Sequence, residues 1–226
     1  MTTDLPLALV TGASRGIGKA VAHQLAPTHR LLLGGRDASA LETLAKELPG
    51  AKPWLVDLTD PTSLERAVAD IQSLDVLVHS AGVAKLGRVE EATAQAWRDN
   101  FEVNTLAVVE LTRLLLPALR TARGHVVVIN SGAGRNARPG WSPYAASKFA
   151  VRAFADALRK EEPELRVTSV YPGRTDTDMQ QEIFKGEGRD YDTSHLLKAD
   201  SVATAVVTAV SATPDAHQTE VILRPR

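Results

Sequence analysis

The sequence predicts an α/β fold, a single doubly wound domain with a parallel sheet of about seven strands and helices on both faces. Short apolar runs alternate with longer amphipathic ones along the chain, and the strand-like runs are continuously apolar, as strands covered on both faces must be. A glycine-rich turn directly follows the first of these runs, the arrangement of a doubly wound sheet. At 226 residues the chain suits one domain, 1–226, long enough to bury such a sheet.

In order, Leu5 to Val10 reads as a buried strand and Gly16 to Leu25 as a helix. Arg30 to Leu33 is a second strand. Asp37 to Leu48 is a helix whose Leu41, Leu44, Ala45 and Leu48 recur at helical spacing, with Asp37 placed to cap it. Lys52 to Val56 is a strand, Pro61 to Ile71 a helix and Asp75 to His79 a fourth strand; Glu90 to Leu119 reads as nearly continuous helix. The β-branched run Val126-Val127-Val128-Ile129 marks His125 to Asn130 as a fifth strand. A helix over Pro143 to Lys160, a strand at Arg166 to Tyr171, a helix over Ala199 to Ser211 and a short strand at Thr219 to Leu223 complete the pattern. No internal repeat or linker interrupts it.

Composition excludes several function classes. Apolar residues at 44% and charged residues at 23% are close to the globular average. A net charge of −1 with scattered basic residues gives no pull toward nucleic acid or an anionic membrane. There is no cysteine for a disulfide or thiolate metal site, and the six histidines lack metal-ligand spacing, so no metal is expected. The start Met1-Thr2-Thr3-Asp4-Leu5-Pro6 lacks the basic and apolar stretches of a leader, and no apolar run approaches membrane-spanning length. A cytoplasmic protein is the expectation.

Two stretches carry chemistry. In Thr11-Gly12-Ala13-Ser14-Arg15-Gly16-Ile17-Gly18 the glycines allow a tight turn and close approach of a ligand, and the following helix offers free N–H groups to an anion such as a pyrophosphate. The same residues satisfy G-x-S-x-G, the nucleophile elbow of α/β-hydrolases, which would make Ser14 a nucleophile with Asp176 and His195 as partners on paper. An elbow after the first strand would, however, lack the preceding strands that carry an oxyanion loop. The second stretch is Ser142-Pro143-Tyr144-Ala145-Ala146-Ser147-Lys148. Its first two residues suit a helix start, and Tyr144 and Lys148 then share a face, where the ammonium favours the phenolate and fits the tyrosine for acid–base work. The pair alone reads equally as two surface neighbours.

Taken together, Thr11-Gly12-x-x-x-Gly16-x-Gly18, Ala81-Gly82, Asn104, Ser131, Tyr144-x-x-x-Lys148 and Pro172-Gly173 resemble the ordered motif set of the short-chain dehydrogenase/reductase (SDR) family, along almost the whole chain. The resemblance implies a Rossmann-type, nicotinamide-dependent oxidoreductase interconverting a carbonyl and a secondary alcohol. In it Tyr144 exchanges a proton with the substrate oxygen and Lys148 lowers the tyrosine pKa and binds the nicotinamide ribose. Ser131 polarises the carbonyl, and Asn104 helps hold a water in a proton relay. As alternatives, Ser131 is a turn residue and Asn104 a solvated helix residue. The family's paired asparagines before Ala-Gly are here His79-Ser80, with His79 expected to be packed or hydrogen-bonded rather than catalytic.

The resemblance places the cofactor along Gly12, Ser14, Arg15, Gly16, Ile17 and Gly18, then Arg36, Asp57, Leu58, Ala81, Gly82, Tyr144, Lys148, Pro172, Gly173, Thr175 and Thr177. The carboxylate that an NAD enzyme sets after the second strand is replaced by Gly35, with Arg36 next and Arg15 in the glycine loop, so NADP (NADPH) is the expected cofactor. Asp57 serves equally as a loop cap. A short substrate lid is expected around 177–197, mobile over Gln180 to Leu196 with Gly186 and Gly188 as flex points. Trp141, Arg135, Arg174, Met179 and Tyr191 are candidate contacts to a small-molecule substrate. Apolar faces at Val103, Leu106, Leu111 and Leu114, and at Phe149, Ala153, Phe154 and Ala157, together with the family's pairing of these helices, imply a homodimer or homotetramer. A catalytically silent dinucleotide-binding sensor would need the glycine loop but not the Ser131, Tyr144 and Lys148 set.

Overall fold

The computed structural model describes residues 5–213 and 215–226; the start read for a leader, at Met1 to Asp4, lies outside them. Seven parallel strands form one sheet in the order β3-β2-β1-β4-β5-β6-β7. They are β1 (Leu7–Thr11), β2 (Arg30–Gly35), β3 (Ala51–Leu55), β4 (Val76–His79), β5 (His125–Ile129), β6 (Arg166–Pro172) and β7 (Glu220–Leu223). The helices are α1 (Gly16–Leu25), α2 (Ala38–Glu47), α3 (Pro61–Val68), α4 (Ala94–Phe101), α5 (Ala107–Ala122), α6 (Ser142–Glu161), α7 (Asp178–Gly186) and α8 (Ala199–Val210).

The strand sequences show why both faces are covered. Along β1, Ala8 and Val10 join one apolar cluster with Val21, Leu25, Leu41, Leu44, Val202 and Val206, from α1, α2 and α8. Leu9 joins the other, with Leu64, Leu111, Leu115, Leu119, Val151 and Leu158, from α3, α5 and α6. In β5, Val127 and Ile129 face the first cluster and Val126 and Val128 the second, the period of two that a strand imposes. Each fully buried leucine contributes about 1.5–3 kcal/mol. Pro53 lies in edge strand β3, where its missing N–H leaves no ladder bond unmade.

Local chemistry sets the helix starts. Asp37 accepts from the Ala40 N–H at 3.0 Å, Asp60 from Thr62 at 3.1 Å, and Thr93 from Ala96 at 3.1 Å. The expected helix from Glu90 to Leu119 is corrected here. It begins at Ala94, after a turn capped by Thr93, and is interrupted by a π-helical turn over Glu102–Leu106. Within the segment expected to be a lid, residues 178–186 form the helix α7. Gly188 keeps a positive φ of 64° beyond it, whereas Gly186 is still helical. Among the described residues no helix is long and apolar enough to cross a membrane.

The apolar faces assigned to assembly divide. Leu111 is fully buried and not free for a partner, whereas Leu114 and Phe154 pack on the core with part of their surface exposed. Leu106 and Phe149 remain 52% and 40% exposed.

Candidate active site

The chain order reverses between β1 and β4, and the loops at the C-terminal ends of the strands open there into a cleft of about 700 Å³. The glycine loop from β1 to α1 forms one wall. Gly12 and Gly16 have φ of 66° and 55°, and a Cβ on Gly18 would stand 2.3 Å from the Gly12 carbonyl oxygen, so the turn can close only with glycine there. No side chain caps the α1 N-terminus at Arg15, which leaves its first-turn N–H groups directed to the cleft for an anion. The Thr11 hydroxyl ties β1 to β4, donating to the Val78 carbonyl at 3.3 Å and accepting from Ser80 and Ala81 N–H at 3.1 and 3.2 Å.

Every residue expected to contact a cofactor, from Gly12 to Thr177, lines this cleft. At one end, Arg36 lies 3.8 Å from Asp57, and Arg15 lies 3.3 Å from Asp178 across the mouth. These are exposed pairs, worth about 0–1 kcal/mol, which a phosphate dianion can displace. Asp57 is a loop cap as well: hydrogen bonds from the Thr59 N–H and hydroxyl hold its carboxyl below the usual range, with a smaller contribution from Arg36. The uncapped helix start, the glycine turn and the two guanidiniums fit a dinucleotide phosphate chain.

At the other end Ser131, Tyr144 and Lys148 come together. Tyr144 stands in the first turn of α6 and Lys148 one turn on, both buried, with Lys148 Nζ 5.9 Å from the tyrosine ring centre. Lys148 Nζ donates to the Ile129 carbonyl at 3.1 Å. Ser131 Oγ accepts from the Ala133 N–H at 3.1 Å, which makes it a turn residue too. The expected lowering of the tyrosine pKa by lysine is not what the structure gives. Burial pushes the Tyr144 phenol up, with Ser131 working the other way, and burial pushes Lys148 down to about 8.

Asn104 is not a solvated residue. It sits buried in the π turn, accepting from Val83 N–H at 2.9 Å and donating to the Val83 carbonyl at 2.9 Å and Ser147 Oγ at 3.0 Å. Its amide is thus engaged with protein. Asn100, four residues earlier, binds Lys85 in the same way. Asn130 is a further residue that sequence reasoning missed: it accepts from the Ser131 N–H at 2.8 Å and donates to the Lys148 carbonyl at 3.1 Å, joining the ends of β5 and α6. The signal available was polarity inside apolar segments. His79 is buried against Thr112 Oγ1 at 2.8 Å, and burial lowers its pKa to about 3, as expected of a packed residue.

Of the candidate substrate contacts, Trp141, Arg174 and Met179 line the cleft. Arg135 instead pairs with Glu220, and Tyr191 with Asp176. Of the partners given on paper to a Ser14 nucleophile, Asp176 accepts from the Tyr191 hydroxyl, and His195 lines the cleft as Ser14 does. Arg174 ties the segment after β6 to the end of α7, holding Glu187 at 2.6 Å and lying over Trp141 and Phe184.

A family model described as short chain dehydrogenase matches residues 6–188. The chain belongs to the short-chain dehydrogenase/reductase family. The mouse protein "Dehydrogenase/reductase SDR family member 7B" is 35% identical over 199 residues, covering 81% of this chain and 62% of the relative, so the chain spans less than two thirds of that relative's length. A short-chain type dehydrogenase/reductase of Sinorhizobium fredii is 36% identical over 215 residues, covering 90% of this chain and 85% of its own. Among solved structures, an alcohol dehydrogenase from the archaeon Thermococcus sibiricus complexed with 5-hydroxy-NADP superposes with a TM-score of 0.90 at 29% identity, over 98% of this chain and 97% of its own. An actinorhodin polyketide ketoreductase with NADPH gives 0.90 at 27%, over 98% and 96%. The SDR members are oxidoreductases, and this chain shares their seven-stranded Rossmann-type sheet.

Proposed function

We propose that this SDR protein is an NADP(H)-dependent oxidoreductase that interconverts a small carbonyl compound and its secondary alcohol. The observation that carries the reading is the convergence of Ser131, Tyr144 and Lys148 at one end of a cleft whose other end holds Arg15 and Arg36. The nicotinamide, when bound, supplies or accepts the hydride. Tyr144 gives its proton to the substrate oxygen in reduction and takes it back in oxidation. Ser131 donates to the same oxygen and stabilises the charge that develops there. Lys148, charged below about pH 8, binds the ribose and favours the phenolate when the proton leaves. Asn104, whose amide is engaged with Val83 and Ser147, supports the relay through Lys148 by holding the loop after β4 against α6.

Arg15 and Arg36 favour a 2′-phosphate, and no carboxylate stands at Gly35 to repel it. NADP-complexed relatives support this choice. The lid is residues 177–197, with α7 as its rigid part. The test is NADPH and NADH oxidation against a panel of aldehydes, ketones and diketones. NADPH should be preferred in the parent, Arg36→Asp should narrow or invert that preference, and Tyr144→Phe should lower kcat at least ~100-fold. Equal efficiency with both cofactors refutes the cofactor choice, and full activity in Tyr144→Phe refutes the mechanism.

A further inference from the structure

Several observations meet at the substrate end of the cleft. Gln180, in the first turn of α7, is 5% exposed and lines the cleft, and its amide Nε2 has no hydrogen-bond partner among the described residues. Arg174 gives Nη2 to both oxygens of Glu187, at 2.6 and 2.9 Å, while its Nη1 is buried without an acceptor. Arg224, just beyond β7, brings Nη1 to 3.5 Å from the position of a Cβ on Gly132, beside Ser131, and among the described residues donates only to its neighbour Leu223, at 3.3 Å. The carboxylates that line the cleft are Asp57 and Asp178, and both stand at the cofactor end, facing Arg36 and Arg15. Gln180 Nε2 and Arg174 Nη1 therefore stand without an acceptor among the described residues, and Arg224 has no carboxylate partner among them. Native proteins rarely leave buried donors unmatched, and donors aimed into a binding cleft are matched by what binds.

We propose that the substrate carries a carboxylate: an oxo acid in reduction and the matching hydroxy acid in oxidation. The carboxylate oxygens accept from Arg224, Arg174 and Gln180, and the carbonyl oxygen lies at Ser131 and Tyr144. In reduction the carbonyl carbon gains a hydride from reduced nicotinamide as co-reactant and the oxygen gains the Tyr144 proton, so C=O becomes CH–OH and the carboxylate is unchanged. Charge-assisted bonds of this kind discriminate against a neutral isostere, whose ester group accepts more weakly and leaves the Arg224 guanidinium without an anionic partner. This inference rests on the oxidoreductase reading.

The experiment pairs short-chain 2-oxo and 3-oxo acids with their methyl esters, measuring kcat/KM with NADPH and, separately, binding of each member to NADPH-loaded protein by calorimetry. In the parent the best acid should exceed its ester at least tenfold in both readouts. In Arg224→Met and in Gln180→Leu that acid-to-ester ratio should fall at least tenfold. A ratio near one in the parent, or a ratio unmoved in both variants, overturns the proposal. The two readings fail separately. Esters turned over in preference to acids, with loss in Tyr144→Phe, would leave the oxidoreductase standing without a carboxylate site. Acids bound selectively but never reduced would leave the carboxylate site without the hydride chemistry, and no selective binding together with no turnover would sink both.

Discussion

Burial acts on Tyr144 and Lys148 in opposite directions and fixes the pH range in which the pair can work. Removing each from water disfavours its charged form, so the phenol keeps its proton to higher pH while the ammonium loses its own nearer neutrality, at about 8. For reduction this is a consistent arrangement: the acid stays protonated, and below about pH 8 a positive charge stands near it to stabilise the phenolate left behind. Above that pH the charge disappears while the phenol is still protonated. In the SDR reading, kcat/KM for carbonyl reduction should therefore be level from about pH 6 to 8 and fall roughly tenfold per unit above it, since kcat/KM follows the free enzyme's ionisations. A profile still level at about pH 9 would show that Lys148 holds its proton more firmly than its burial implies.

At the scale of elements, the site depends on how α4, α5 and α6 are held, and buried asparagines do much of this. Asn104 meets both backbone groups of Val83 and the hydroxyl of Ser147, so one side chain joins the loop after β4, the π turn and α6. Asn104→Ala strands these buried partners, at about 1–3 kcal/mol per unsatisfied group. Stability in urea should drop by about 2 kcal/mol or more together with kcat; lost activity at parental stability would give the Asn104 side chain a part in the chemistry and not in holding the helices. The strands, the cap at Asp37 and the spacing of Tyr144 and Lys148 were legible in the sequence because period and local hydrogen bonding fix them. The π turn was not, because one inserted residue in a five-residue segment leaves no periodic trace. Nor were Asn130, which meets Lys148 only because α6 packs back on β5, and Arg224, which reaches Gly132 only through the order of β5, β6 and β7. The sign of the Tyr144 shift was missed for a related reason: spacing reveals which charge is near, whereas burial depends on everything packed around it.

For the whole molecule, α6 would link the proposed chemistry to assembly. The inner face of α6 packs Val151, Ala155 and Leu158 into the core, and its first turns carry Tyr144 and Lys148; Phe149, Ala153 and Ala157 face outward. Leu106, between α4 and α5, is exposed as well. SDR proteins commonly form oligomers, and a two-fold interface through these helices would cover the outer face of the helix that holds the acid, limiting its movement from both sides. Such an interface uses the same patch on both chains, so one substitution is felt twice. Burying a large apolar side chain contributes about 1.5–3 kcal/mol, so Phe149→Glu should weaken a dimer by roughly 3 kcal/mol or more, over ~100-fold in Kd. Light scattering should give at least twice the chain mass for the parent and a shift toward one chain for Phe149→Glu, with circular dichroism unchanged. A parent that stays monomeric at micromolar concentration would mean that α6 is steadied by the core and by Asn104 and Asn130 alone.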